Sequence, residues 1–354
     1  MSSGDIRIDA VVQEEDRINR FDGAIGTPVE VTYSFMDEAP SSGSYRFDNI
    51  NGFKAFNEAQ KLAVHFALNE YEQASGLTFQ LTDDAGILQL GFYTGRDGIP
   101  SHIESSAEAL TNWRNDTQPA ADVWLNHTQE ENITFTPGEG YGYFLLLHEI
   151  GHTLGLKHPV EYTGYETPPY LAPEDDNGKN TIMSYQQNDL SDVSLGDYDL
   201  LALDYLYGPN DTSSDYALSA SHLAALGVTI DDAYDFLADN VNHPDKIADT
   251  AMAHELTLAM LAEIIGYEAD SLDAYFAEAG INWPKPSAAQ QHLEARGISL
   301  SDAQAFVTTH LDSPNVIYQT VTANDVNADM LANIVGVQRQ EVDDYFSSHG
   351  LSLA

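Results

Sequence analysis

Residues 148–158 read His-Glu-Ile-Gly-His-Thr-Leu-Gly-Leu-Lys-His, and no other stretch restricts the chain so tightly. On a helix, residues i and i+4 share one face, so His148 and His152 can point two imidazoles at one cation. Glu149 is too close in sequence to share that coordination comfortably. It stands instead where it could touch a water held on the metal. Gly155 tolerates the left-handed backbone of a sharp turn, so it ends the helix and lets the chain bend back to present His158 as a third ligand. Three neutral nitrogens, with a fourth position left for water, are the pattern of a catalytic Zn2+ site rather than a structural one. The neighbours Phe144, Leu145, Leu146, Leu147, Ile150 and Leu154 suit a buried active-site helix.

Around this segment the first 210 residues mix strand and helix signals, which predicts an α+β domain. Val29 to Phe35 alternates with a period of two and reads as a half-buried strand. Leu77 to Leu81, Ile87 to Tyr93 and Asp122 to Asn126 read as further strands. Helical spacing runs through Phe53 to Ser75, Tyr141 to Leu154 and Leu195 to Leu206. Between the second and third of these helices lies a long polar, proline-bearing loop, and Gly208 to Ser214 reads as a linker. The expected domain boundary therefore falls between residues 210 and 211.

The remaining residues, 211–354, repeat themselves. A shift of 70 positions aligns His222 with His292, Gly227 with Gly297, Pro244 with Pro314 and Gly266 with Gly336. It also carries Met260-Leu261-Ala262 onto Met330-Leu331-Ala332, and Tyr275-Phe276 onto Tyr345-Phe346. Agreement in a single register predicts an all-α domain of two tandem copies, about 217–286 and 287–354, divided at Trp283-Pro284-Lys285-Pro286. Within each copy a glycine is followed nine positions later by an aromatic: Phe236, Tyr275, Phe306 and Tyr345. The unit this suggests is helix, glycine turn, helix, with the aromatic in the core. His222 and His292 lack a metal-ligand spacing and read as structural, as do His65, His102 and His127.

Composition narrows the function. Fourteen basic residues stand against 56 acidic ones, for a formal charge of −42, spread as −24 over residues 1–210 and −18 over residues 211–354. Such a surface repels nucleic acid and anionic membranes, and it suits solubility in a salty or extracellular medium. The helical pairs are accordingly not expected to bind DNA. No apolar run is long enough to span a bilayer, and Met1 to Val12 has no signal-peptide core. The chain has no cysteine, which excludes disulfides, thiolate zinc ligands and latency through a thiolate on the metal.

Taken outward from His148–His158, the sequence resembles the metzincin metalloproteases, and the continuation Gly-Leu-Lys-His-Pro resembles their serralysin branch. Thr181-Ile182-Met183-Ser184-Tyr185 resembles the Met-turn of that branch. Ser3 to Ala10 and Val31 to Phe35 resemble the start of its protease domain, and Gly196-Asp197-Tyr198-Asp199 to Tyr207-Gly208 its closing helix. The resemblance spans about residues 4–208. It implies a twisted mixed sheet plus an active-site helix, and a Zn2+ endopeptidase acting on proteins or peptides. It further implies Glu149 as general base, Tyr185 as partner of the developing oxyanion, and Met183 as a hydrophobic floor rather than a ligand. Export by a type I-like route without an N-terminal signal is the matching expectation. An extended substrate is expected to lie antiparallel to an edge strand, for which Ile87 to Tyr93 is the candidate. Serralysins continue into glycine-rich calcium-binding nonapeptides, but no Gly-Gly-x-Gly-x-Asp occurs here. Calcium binding is left open without sites of that type. The helical copies stand in that place, with targeting of a protein or cell-surface partner, autoinhibition or export as their candidate roles. The competing reading is a partner- or surface-binding protein whose protease module only processes itself or its partner.

Overall fold

The computed structural model describes residues 2–13, 24–39, 50–96, 107–114, 118–128, 133–162, 164, 166–187, 189–210, 216, 218–254, 256–283 and 287–353. The linker segment 211–215, the Pro284–Pro286 divider and His102 lie outside them. Two compact units separate: residues 1–213 with 238–242, and residues 214–237 with 243–354. No helix among the described residues is long and apolar enough to cross a membrane.

The first unit is built on a sheet with the strand order β3-β1-β4-β7-β6. Its strands are β1 (Val29–Phe35), β3 (Leu77–Leu81), β4 (Leu88–Tyr93), β6 (Ala107–Arg114) and β7 (Gln118–Asn126), while β2 (Ile50–Asn51) and β5 (Gly95–Arg96) pair separately. Strands β3, β1, β4 and β7 run parallel, and β6 alone is antiparallel, paired with β7 from Ala107↔Leu125 to Arg114↔Gln118. Ile87 to Tyr93 is therefore not an edge. Its strand β4 is bonded on both sides, to β1 and to β7, and its side chains at Leu88, Leu90 and Phe92 are fully buried. A short apolar run reads as a strand but carries no information on which strands flank it. The antiparallel edge is β6.

Two long helices pack on this sheet. In α2 (Glu58–Ala74) Asn57 and Gln60 form a reciprocal capping box, and Leu62, Ala63, Phe66 and Tyr71 make the buried stripe. The central helix α3 (Tyr141–Thr153) is apolar nearly all round, as a helix enclosed by protein must be. It packs against β6, β7 and α2. Two buried tyrosines fix it from behind. The Tyr71 hydroxyl donates to the Leu147 carbonyl at 2.6 Å, and Tyr207, at the end of α4 (Asp197–Tyr207), donates to the Leu154 carbonyl at 2.6 Å. The N-terminal helix α1 (Ile6–Asp9) packs on α4, and the residues after it pair with the turn that follows α3. The Lys157 amide donates to Val11 O at 2.8 Å and the Gln13 amide to Gly155 O at 3.1 Å.

The second unit is helical throughout. It runs through α5 (Ala220–Leu226), α6 (Ile230–Asp239), α7 (Pro244–Ala253), α8 (Leu258–Ile265) and α9 (Ala269–Glu278), then α10 (Ala288–Glu294), α11 (Leu300–Thr309), α12 (Pro314–Ala323), α13 (Ala328–Val335) and α14 (Arg339–Ser348). Gly227, Gly266, Gly297 and Gly336 all adopt positive φ, between 67° and 76°, at the helix–helix turns. Pro244 and Pro314 open α7 and α12, where a missing N–H costs nothing. These proline-led helices lie between the glycine-linked pairs and were not part of the expected unit. Of the four spaced aromatics, Tyr275 is buried, whereas Phe236, Phe306 and Tyr345 are half-buried. The fully enclosed rings are the next residues along, Phe276 and Phe346.

His222 and His292 make the same bond 70 positions apart. His222 Nε2 meets the His254 carbonyl at 2.7 Å and His292 Nε2 meets the Asn324 carbonyl at 2.8 Å, each at the C-terminal cap of the proline-led helix. Replacing either histidine by Ala strands a carbonyl, at an expected cost of about 1–3 kcal/mol. Thermal melts by far-UV circular dichroism should show a lowered midpoint in both variants, with metal content unchanged.

Candidate metal centre

His148 and His152 sit one turn apart on α3, and the turn at Gly155, with φ of 94°, returns the chain to place His158 opposite them. The three Nε2 atoms converge: His148 to His158 is 3.1 Å and His152 to His158 is 3.2 Å. Three ring nitrogens this close, with no proton to share among them, are arranged for a common electrophile. Each ring is turned that way by its other nitrogen. His148 Nδ1 lies 2.9 Å from the Ile182 carbonyl and His152 Nδ1 3.0 Å from the Leu156 carbonyl, while His158 Nδ1 lies 2.8 Å from Glu166 Oε1. Carbonyls only accept, so Nδ1 of His148 and His152 carries the proton and Nε2 keeps its lone pair. Burial lowers the pKa of all three. It takes His148 well below the ordinary value and His152 to about 3, and for His158 it outweighs the opposing pull of Glu166. Neutral imidazoles are the form that binds a metal. Among the described residues, His148, His152 and His158 are the group able to hold a metal ion.

The other expected residues gather here as well. Glu149 is buried beside His148 on α3. Met183 is fully buried beneath the helix, and a Cβ at Gly151 would come within 2.9 Å of its sulfur and 3.0 Å of the Tyr71 hydroxyl. Only glycine lets the helix lie this close on the methionine floor. Tyr185 is half exposed, with its ring 4.6 Å from that of His158 and 5.7 Å from that of His148. Burial, then the charges of Glu149 and Glu166, push its hydroxyl up to about 12, so it keeps its proton at neutral pH. His65 and His127 lie apart from the centre, bonded to Tyr33 and to the Gly52 carbonyl.

Several supporting residues were not singled out from sequence. Glu166 orients His158. Tyr162 stacks on Tyr185 at 4.3 Å and 9°, accepts from the Tyr185 amide at 3.1 Å, and donates to Asp176. Lys157 is buried, and its ammonium donates to the carbonyls of Thr167 and Pro169, which ties down the loop that carries Glu166. Asp199, fully buried in α4, accepts from the Thr181 hydroxyl at 2.6 Å, the Ile182 amide at 2.6 Å and the Gly196 amide at 2.8 Å. Burial pushes its carboxyl up to about 6 against the pull of those donors. Spacing could not have found these residues, because each acts across a loop.

A family model described as metallo-peptidase family M12 matches residues 28–194. The N-terminal unit is similar to the serralysin-like metzincin metallopeptidases. Serralysin G of Dickeya chrysanthemi is 30% identical over 200 residues, which cover 52% of this chain and 40% of that one. A serralysin of Photorhabdus sp. (strain Az29) is 29% identical over 207 residues, covering 52% and 39%. Metallopeptidase AprA of Pseudomonas marginalis is 29% identical over 217 residues, covering 54% and 42%. The chain thus spans about two fifths of the length of these relatives. The donor set of three Nε2 atoms with anchored Nδ1 atoms fits zinc, which takes neutral imidazole nitrogen and leaves a position open.

Two substitutions test the supports. Glu166→Ala should weaken metal binding about 10–100-fold, read by competition with a chromogenic chelator. Asp199→Ala removes three hydrogen bonds to a buried carboxylate, and should lower the stability of the first unit by about 3 kcal/mol or more, read as a drop in melting temperature.

Proposed function

We propose that the chain is a zinc-dependent endopeptidase that hydrolyses peptide bonds of protein substrates, with residues 1–210 as its catalytic domain and residues 211–354 as a helical accessory domain. The convergence of His148, His152 and His158 beside Glu149 carries this reading. Zn2+ held by the three histidines would supply Lewis acidity, which acidifies water and polarises a carbonyl. Glu149 takes the proton of the attacking water and delivers it to the leaving amine, the work of one carboxylate as base and then acid. Tyr185 donates its phenolic hydrogen bond to the oxyanion of the tetrahedral intermediate. Its high pKa, its half-exposed place against His158 and its stacking on Tyr162 support that role. The substrate lies extended along β6, whose outer edge has no strand partner among the described residues, so backbone bonds can form irrespective of side chain.

The accessory domain is read as a tandem duplication, copies 217–286 and 287–354. The shared glycine turns, the proline-led helices and the twin histidine–carbonyl bonds support this. Its role in this reading is to bring substrates or a surface to the protease. The acidic surface suits work outside the cell.

Glu149→Ala should abolish cleavage of casein while the protein still binds zinc, measured by a fluorescence protease assay and metal analysis. Tyr185→Phe should lower kcat by about 100-fold or more with little change in KM, as expected for loss of one oxyanion donor. Zinc-loaded wild-type protein that cleaves no member of a peptide library would overturn the reading in favour of a binding protein.

A further inference from the structure

The second unit contains a cavity that the peptidase chemistry does not use. It has a volume of about 300 Å3 and lies among α5, α6, α7 and α8, with Leu223, Leu226, Phe236, Ala251 and Leu261 in its wall. That volume is at the small end for ligand pockets, with room for one aromatic or branched aliphatic group. Leu226, at one side of it, is 42% exposed, so the cavity wall is reachable from solvent there.

The 70-residue shift supplies an internal comparison. Of the fourteen wall residues, eight recur unchanged in the other copy, Phe236 as Phe306 and Leu261 as Leu331 among them. There Leu293, Val321 and Leu331 belong to a buried hydrophobic cluster, with Phe306 packed against it. The largest chemical difference is at Leu226, whose counterpart is Arg296. The Arg296 guanidinium bonds the His292 carbonyl at 3.2 Å and Asp325 at 3.0 Å, so it reaches from the end of α10 to the residues after α12. A leucine cannot make that clasp. Ala251, whose counterpart is Val321, leaves further room, while Leu237 and Leu256 have the smaller Val307 and Val326 as counterparts and shift bulk the other way.

Charge selects the occupant. Between residues 216 and 283 there are twelve acidic residues and one basic residue, Lys246. Asp232 is in the cavity wall, Asp231 and Asp235 are exposed beside it on α6, and Lys246 stands 5.6 Å over the Phe236 ring. An acyl chain with a carboxylate or phosphate head would meet a repulsive surface, whereas cations are attracted. We propose that this pocket is a docking site for a basic polypeptide segment, which inserts one large apolar side chain between α5, α6 and α7 while its flanking Lys or Arg residues meet the acidic rim. This names the partner chemistry of the accessory role proposed above, and it does not depend on peptide-bond cleavage.

The test is fluorescence anisotropy of a labelled peptide carrying one Phe flanked by lysines, titrated with the full-length zinc-loaded chain bearing Glu149→Gln so that the probe is not cut. Saturable binding should weaken at least tenfold when the peptide's Phe becomes Ser or its lysines become glutamates. It should also weaken on raising the salt concentration. Leu226→Gln, on an exposed side chain and neutral in charge, and Ala251→Val, which installs the residue of the other copy, should each lower affinity about tenfold or more. Circular dichroism checks that both variants fold, and Leu226→Gln decides if Ala251→Val does not. Absent binding, binding indifferent to Phe→Ser, or binding unchanged in the folded variants overturns the proposal. So does preferential binding of neutral phosphatidylcholine vesicles, which would make the pocket a lipid site. Loss of peptidase activity with this binding intact would count against the catalytic reading alone.

Discussion

Three imidazole nitrogens gathered within 4.8 Å of one another are the constraint around which the first unit is organised. Left to themselves, three such rings would turn their protonated edges inward or separate. They are held by the opposite ring nitrogen, each bonded to an acceptor that cannot move away: a carbonyl in the Met-turn, a carbonyl in the turn after the helix, and the Glu166 carboxylate. Burial keeps the rings neutral. Each support rests on another. Asp199 fixes the Thr181–Ile182 backbone that receives His148, and Lys157 fastens the loop that brings Glu166 to His158.

The same demand for rigidity explains the packing behind α3. Tyr71 and Tyr207 each take a helix carbonyl at 2.6 Å, and the missing side chain at Gly151 lets the helix settle onto Met183. The N-terminal residues add a clasp on the turn from which His158 departs. A site that must present three nitrogens to one ion tolerates little displacement, and the bonds behind α3 supply that rigidity.

Much of this was legible in the sequence because the information is local. The i, i+4 histidines, the glycine turn and the Met183–Tyr185 segment state their own geometry, and strands β1 and β3 fall on the predicted residues. The short run of Ile87 to Tyr93 identified a strand but could not say that β7 and β1 would both bond it. In the helical unit the glycine and proline positions marked helix turns and helix starts. They did not show that Phe276 and Phe346, rather than the aromatic before each, are the rings fully enclosed, since a one-residue step on a helix turns a side chain by about 100°.

The sequence by itself determined the identity and order of the three converging imidazoles, the glutamate beside them and the helix–turn geometry that unites them, because these depend on residues within one turn and one bend of each other. Only the tertiary structure decided which strand is the antiparallel edge, which carboxylates hold His158 and the Met-turn, and that α5 to α8 enclose a cavity. Those outcomes depend on which distant segments meet, and contacts across loops leave no period in the chain to read.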